Sequence, residues 1–339
     1  MQQNSVSSSY VAAELQAREH RAGHDFGEAS RSARKAAVIA LSDGQAGAWW
    51  NMTFLQAECL LAAGEFEASA EVAGTLVTSV ATTPQLQAQV HILRAKACQG
   101  AGLLDIAAAE ARAATELMQD EADIEVNVTA GLALISALGD SGQLDEAWAE
   151  SLNLAKVISA EVDEQVLGKA YWVIGNVAFL CGKVPEGLYY HELAAATFSP
   201  TRNLDVWAKF NKASAAMRLA ADVSDDDTLR CIERAELATD IIGGSANDYL
   251  LLKLNRGHWN FLAGDHAAAV ALLEDIFVEA EKPSPQILGE AGLLLGRANA
   301  AMGHREAAQK HLLKAVEHFE ASGAQQRADQ AREYLTNEA

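Results

Sequence analysis

The chain has 339 residues, half of them hydrophobic but only 6% aromatic, with 5 prolines and a formal net charge of −20. Alanine and leucine lose little freedom in a helix, whereas sheets draw on branched and aromatic residues, so this composition predicts an all-helical protein. The acidity argues against nucleic acid as the main partner, so no direct nucleic-acid binding is expected, and it argues against anionic membranes, because both call for a basic face.

In chain order, the opening "MQQNSVSSS" lacks the basic and apolar regions of a signal peptide and reads as a disordered tail over 1–9. A single solenoid is expected to follow over 10–337. Its first helices carry Arg18, Arg21, Arg31, Arg34 and Lys35 among acidic residues, as a solvated capping pair would. His20, His24 and Glu28 have i, i+4 spacing, but Gly23 interrupts the face that a metal ion would need.

From there one phrase recurs. Around Gly64 the chain reads "AAGEFEASA", at Gly102 "GAGLLDIAAA", at Gly142 "SGQLDEAWAE" and at Gly182 "LCGKVPEGL". It returns at Gly264 as "LAGDHAAAV" and at Gly303 as "AMGHREAAQ". With Gly23 the intervals are 41, 38, 40, 40, 82 and 39, so a member is missing near Asp222, where "LAADVSDDDTLRC" supplies a longer acidic turn. That turn lacks the glycine and closing glutamate of a calcium loop and reads as the start of a helix. A period near 40 marks a solenoid, in which each unit covers its neighbour's open face.

Each unit holds two amphipathic helical patterns, one on either side of the glycine. Glycine suits a helix C-terminus where φ turns positive, and Asp145 and Glu146 suit the positive end of the next helix. Between units, Thr83–Pro84 and Ser284–Pro285 read as N-cap followed by first-turn proline, and Pro185 opens a helix in the same way. Seven residues before the glycines, or before Asp222, stand Ala57, Ala95, Gly175, Ala215, Gly257 and Gly296, with Ile135 the exception. Five after the glycines come Ser69, Ala107, Ala147, Gly187, Ala269 and Ala308. Small residues at both places let two helices approach closely, so the repeated phrase is the elbow of a helical hairpin.

Cys59, Cys98, Cys181 and Cys231 are solitary, with no CxxC pair, and read as buried reduced thiols of a cytoplasmic protein. His304, His311 and His318 recur every seven residues, about 10 Å apart along a helix, too far to share a metal. No phosphate-binding glycine loop, dinucleotide fingerprint or nucleophile elbow is present, so no cofactor, metal or catalytic set is expected, and the chain is read as not an enzyme.

The small residue, the glycine seven later and the alanine five beyond it resemble the tetratricopeptide repeat (TPR) family, most specifically in "GQLDEAW". The resemblance spans about residue 10 to 335. The period is longer than the family's and its tryptophan and inter-repeat proline are mostly missing. Long units of this kind are similar to the TPR regions of bacterial regulators, both MalT-like arrays and peptide-sensing regulators. The resemblance implies a right-handed superhelical solenoid of about eight antiparallel hairpins. It also implies that first helices line a concave groove, with the residues ten, six and three before each elbow facing inward.

Those places give Trp172, Asn176 and Phe179 in one unit, and Leu254, His258 and Phe261 in another. Lys212 and Arg297 hold equivalent places, Lys169 and Lys209 lie one turn earlier, and Asn211, Asn255 and Arg256 stand nearby. Asparagine bonds a peptide group as donor and acceptor at once, lysine and arginine capture carboxylates, and aromatic rings supply anchors. The candidate peptide-binding set is therefore Lys169, Trp172, Asn176, Phe179, Lys209, Lys212, Asn255, His258, Phe261 and Arg297. The leading expectation is a non-catalytic, regulatory module holding a protein or peptide segment in its groove, with homodimerisation left open. The alternatives are a ligand-gated sensor working with a separate DNA-binding partner, and an assembly scaffold.

Overall fold

The computed structural model describes residues 7–79, 83–119, 123–158, 162–278 and 283–337, and every regular element among them is an α-helix. The chain divides into two compact units, Met1–Cys181 and Gly182–Ala339. The first unit pairs α1 (Ser8–Ala22) with α2 (Phe26–Ser42) and α3 (Ala46–Ala62) with α4 (Phe66–Val77). It continues with α5 (Pro84–Gly100) on α6 (Leu104–Met118), α7 (Ile124–Asp140) on α8 (Leu144–Val157), and then α9 (Glu164–Leu180). The second unit opens with α10 (Val184–Thr197) and pairs α11 (Leu204–Ala220) with α12 (Asp226–Ile242). There follow α13 (Ala246–Leu262) with α14 (His266–Asp275), α15 (Pro285–Ala301) with α16 (Arg305–Ala321), and α17 (Gln325–Asn337) packed on α16. No helix among the described residues is long and apolar enough to cross a membrane.

The elbow has one hydrogen-bond pattern. At Gly64, with φ 79°, the Glu65 N–H donates back to the Leu60 carbonyl at 2.9 Å. The six-residue closure recurs as Leu103 to Cys98 at 2.8 Å, Gln143 to Leu138 at 2.9 Å and His304 to Asn299 at 2.8 Å. It satisfies a carbonyl that the helix end would otherwise orphan. Asp222 fills the missing slot as expected: its φ is 58°, and Val223 donates to Arg218 at 2.9 Å.

The first elbow is displaced by one residue from the sequence reading. Gly23 has φ −80°, and the left-handed place belongs to His24 at φ 60°. Counted from His24, the two small positions become Ala17 and Ala29, both fully buried. The N-terminal boundary also shifts, because Ser7 caps a helix that already includes residues 8 and 9, while 1–6 lie outside the described residues.

Packing follows the small positions. Ser69 Oγ donates to the Ala57 carbonyl at 2.8 Å, so the two sides of that hairpin touch through their small residues. A Cβ on Gly257 would stand 2.8 Å from Leu273, and one on Gly296 2.5 Å from the Leu312 Cγ. Even the exception, Ile135, is fully buried. First helices of successive hairpins then lie side by side: α3, α5, α7 and α9 in the first unit, and α11, α13 and α15 in the second. Their caps are as read from sequence, with Thr83 Oγ1 accepting from Leu86 N–H and Ser284 Oγ from Ile287 N–H. All four cysteines are free thiols, though Cys181, at the end of α9, is only half-buried.

Candidate functional site

In the first unit, the first helices do not close on one another. They leave a cleft of about 560 Å³ lined from α1, α3, α5, α7 and α9, with Phe26 of α2 at one end. Its residues keep the predicted register. Phe54, Glu58 and Leu61 stand ten, six and three before Gly64; Ile92 and Lys96 stand ten and six before Gly102. Arg21 stands three before His24. The walls are apolar, through Phe54, Leu61, Ile92, Val126 and Val166.

Charge enters this cleft in a specific arrangement. Glu58 pairs with Arg21 at 3.2 Å; burial pushes its carboxyl up, while Arg21 and Lys96 oppose that shift. Lys96 opens to solvent in the cleft and holds no carboxylate within ion-pair distance among the described residues. The surrounding walls lower its ammonium, the positive charge of Lys169 lowers it further, and Glu58 works the other way. An incoming anion would relieve that cost, since an opposite charge favours the charged form.

The predicted residues fall into groups. Lys169 is exposed on α9 near the cleft, where its charge reaches Lys96, and on the same helix Trp172 and Asn176 are half-buried and Phe179 is buried. In the second unit Lys209 is exposed and pairs within its own helix with Asp205 at 2.7 Å. Lys212 is held by Asp248, whose other oxygen closes the capping box of α13 with Ser245. Burial pushes the Asp248 carboxyl up, but the hydrogen bonds from Lys212 and Ser245 outweigh it and bring it down to about 2. Asn255 is buried, and its amide donates to the Lys212 backbone carbonyl at 3.0 Å, tying α13 to α11. Arg256 likewise holds Glu236, at 2.6 Å. Lys209 apart, those side chains are engaged inside the fold.

His258, Phe261 and Arg297 come together instead. The Arg297 guanidinium lies 4.6 Å from the Phe261 ring centre and 5.1 Å from that of Tyr334. Burial, then the charges of Arg297 and Arg327, bring His258 down to about 4, so it is neutral at physiological pH. Tyr334, on α17, was not among the expected residues because α17 has no elbow after it to count from. The cleft residues of the first unit were also missed, although the same count applied from the earlier elbows finds them. Among the described residues no group of three or more His, Cys, Asp or Glu side chains is gathered as a metal ion would require.

The elbow, the two small positions and the layer of first helices together define a tetratricopeptide-like helical fold. No protein-family model matches the chain, and no curated protein matches it in sequence. Solved structures do match. Aspartyl phosphate phosphatase F from Bacillus subtilis is similar with a TM-score of 0.60, at 10% identity over 94% of each chain. A tetratricopeptide repeat protein from Parabacteroides merdae follows at 0.42, 13% identity, and 98% and 99% coverage of this chain and that one. Rap protein complexed with competence and sporulation factor gives 0.41, at 11% identity over 97% of each chain.

Proposed function

We propose that this protein is a non-catalytic, regulatory binding module of the cytoplasm that holds a peptide or protein segment against its first helices. The observation that carries the reading is the cleft of about 560 Å³ between Arg21, Phe54, Glu58, Lys96 and Val166. A helical array needs only to pack its hairpins. Here the inner face is left open where packing would have closed it, with apolar walls and a few placed polar groups, as binding sites are built. Lys169, Trp172 and Asn176, on α9, extend that face in the same reading. Four free thiols suit a reducing compartment.

The test is a selection of random peptides displayed on phage against the purified chain, followed by titration of the enriched sequences. Val166→Glu and Lys96→Glu, both on the cleft, should weaken binding about tenfold or more, equivalent to roughly 1.4 kcal/mol. Leu41→Glu, on a side chain 64% exposed and outside the cleft, should leave it unchanged. Enriched peptides that tolerate both cleft variants and fail on Leu41→Glu would move the function to the other face.

A further inference from the structure

Arg297 carries a feature independent of that cleft. It is half-buried on α15, its guanidinium in contact with the rings of Phe261 and Tyr334, and no carboxylate lies within ion-pair distance of it among the described residues. The chain has 46 acidic against 26 basic side chains, so carboxylates are plentiful. Neighbouring arginines are treated differently: Arg256 holds Glu236, Arg327 holds Glu290 and Arg332 holds Glu320. Aromatic rings engage the faces of a guanidinium and leave the N–H edge, the part that binds an anion in a fork, available.

Beside it lies a cavity of about 240 Å³ walled by Phe261, Ala300, Ala301, Leu312 and Tyr334, with Arg297 itself as its charged member. His258 Nε2 is buried close by, with no hydrogen-bond partner among the described residues. The second nearby cation, Arg327, is already neutralised by Glu290. The alcove therefore offers one net positive charge, a planar donor edge and small apolar walls. This matches a singly charged planar group with a short aliphatic body better than a phosphate dianion, which calls for several cations or a helix N-terminus.

We propose that Arg297 anchors a carboxylate-binding site. The guanidinium edge takes both carboxylate oxygens, and a small aliphatic group beside them packs against Phe261, Leu312 and Tyr334. A free short-chain acid and the C-terminal residue of a peptide present the same chemistry.

The experiment is an NMR titration of the full chain at neutral pH, following the His258 ring, with isovalerate, N-acetyl-leucine, N-acetyl-leucinamide and inorganic phosphate as probes. The two acids should give a saturable shift of His258, because an anion on Arg297 cancels the larger of the two charge effects acting on that ring. The amide and phosphate should not. Arg297→Gln should weaken the acids about tenfold or more, and Arg297→Lys, which keeps the charge but loses the fork, should fall between. Tighter binding of isovalerate assigns a free acid as the source, and tighter binding of N-acetyl-leucine a chain terminus. A wild-type protein that shows no saturable shift with either acid, responds equally to the amide, or prefers phosphate would overturn the proposal without recourse to any variant. Silence of the cleft variants in the peptide titration would leave it standing.

Discussion

The inner faces of the two units obey one register and put it to different uses. In the first unit Glu58 and Lys96, each six before its elbow, border an open cleft. In the second unit Lys212, ten before Asp222, is held by Asp248, and Asn255 is spent on the Lys212 carbonyl. A position in the repeat thus fixes where a side chain points. Whether it is available to a ligand depends on what the next first helix brings against it. Around Lys96 the first unit brings apolar walls; around Lys212 and Asn255 the second brings partners.

The largest effect should come from breaking the frame that both faces share. Ala147 is fully buried at the small position of the α7–α8 hairpin, and Ala147→Arg forces a long charged side chain into that packed position. We expect a loss of about 3–5 kcal/mol, the usual cost of an uncompensated buried charge. Hydrogen exchange should localise it, with protection falling from α5 to α9 and holding in α11 to α17, if each unit opens as its own cooperative body. Unchanged stability would mean that the register is misplaced.

That register was the most legible part of the sequence, because its cause is local. A left-handed residue between two helices selects glycine, and two close-packed faces select small side chains. Asp222 was found by its spacing alone. The miss at Gly23 has a physical reason: histidine tolerates positive φ at modest cost, so the glycine beside His24 misled the count. Gly44, Gly243 and Gly323 also take positive φ, with values of 68°, 73° and 73°. They join one hairpin to the next, or α16 to α17, and a search for one glycine per period passes over them. The site was legible in register only. Lys212 and Asp248 are 36 residues apart, as are no two residues that a single helical pattern could relate, and the role of Tyr334 required the packing of α17.

The next effect concerns His258 and separates the alcove from the stitched face around it. Its folded value, about 4, lies below the ordinary 6.5, so the folded state holds it neutral while the unfolded chain takes up a proton. The stability it contributes is complete above pH 6.5 and is lost as pH falls from there toward 4, by roughly 2–3 kcal/mol. Chemical denaturation of wild type and His258→Gln across that range should converge as the pH drops. Parallel curves would show that His258 is solvated.

Smaller losses should mark the stitching itself. Asn255→Ala removes the tie to the Lys212 carbonyl and should cost about 1–2 kcal/mol, with the tightened contact between α11 and α13 lost from hydrogen-exchange data. Lys212→Ala should also destabilise, because it strips a partner from Asp248. Lys209→Ala should not, since its pair with Asp205 is 61% and 52% exposed and surface pairs contribute little. Equal effects of the two lysines would dissolve the distinction between an engaged face and a solvated one.

The smallest effect on stability is the most informative about function. Lys96→Ala removes an ammonium that has no carboxylate within ion-pair distance among the described residues and bears a cost from the cleft walls and from Lys169. Its loss should move the denaturation midpoint by no more than about 0.5 kcal/mol equivalent, in either direction, as a site without a structural bond should. Against an acidic peptide from the phage selection the same change should weaken binding several-fold, and less so as salt rises and screens the charge. Against the matching peptide with glutamine for glutamate it should do nothing. A clear loss of stability would place Lys96 with Lys212 among the residues that hold the fold, and the contrast between the two inner faces would then be one of degree.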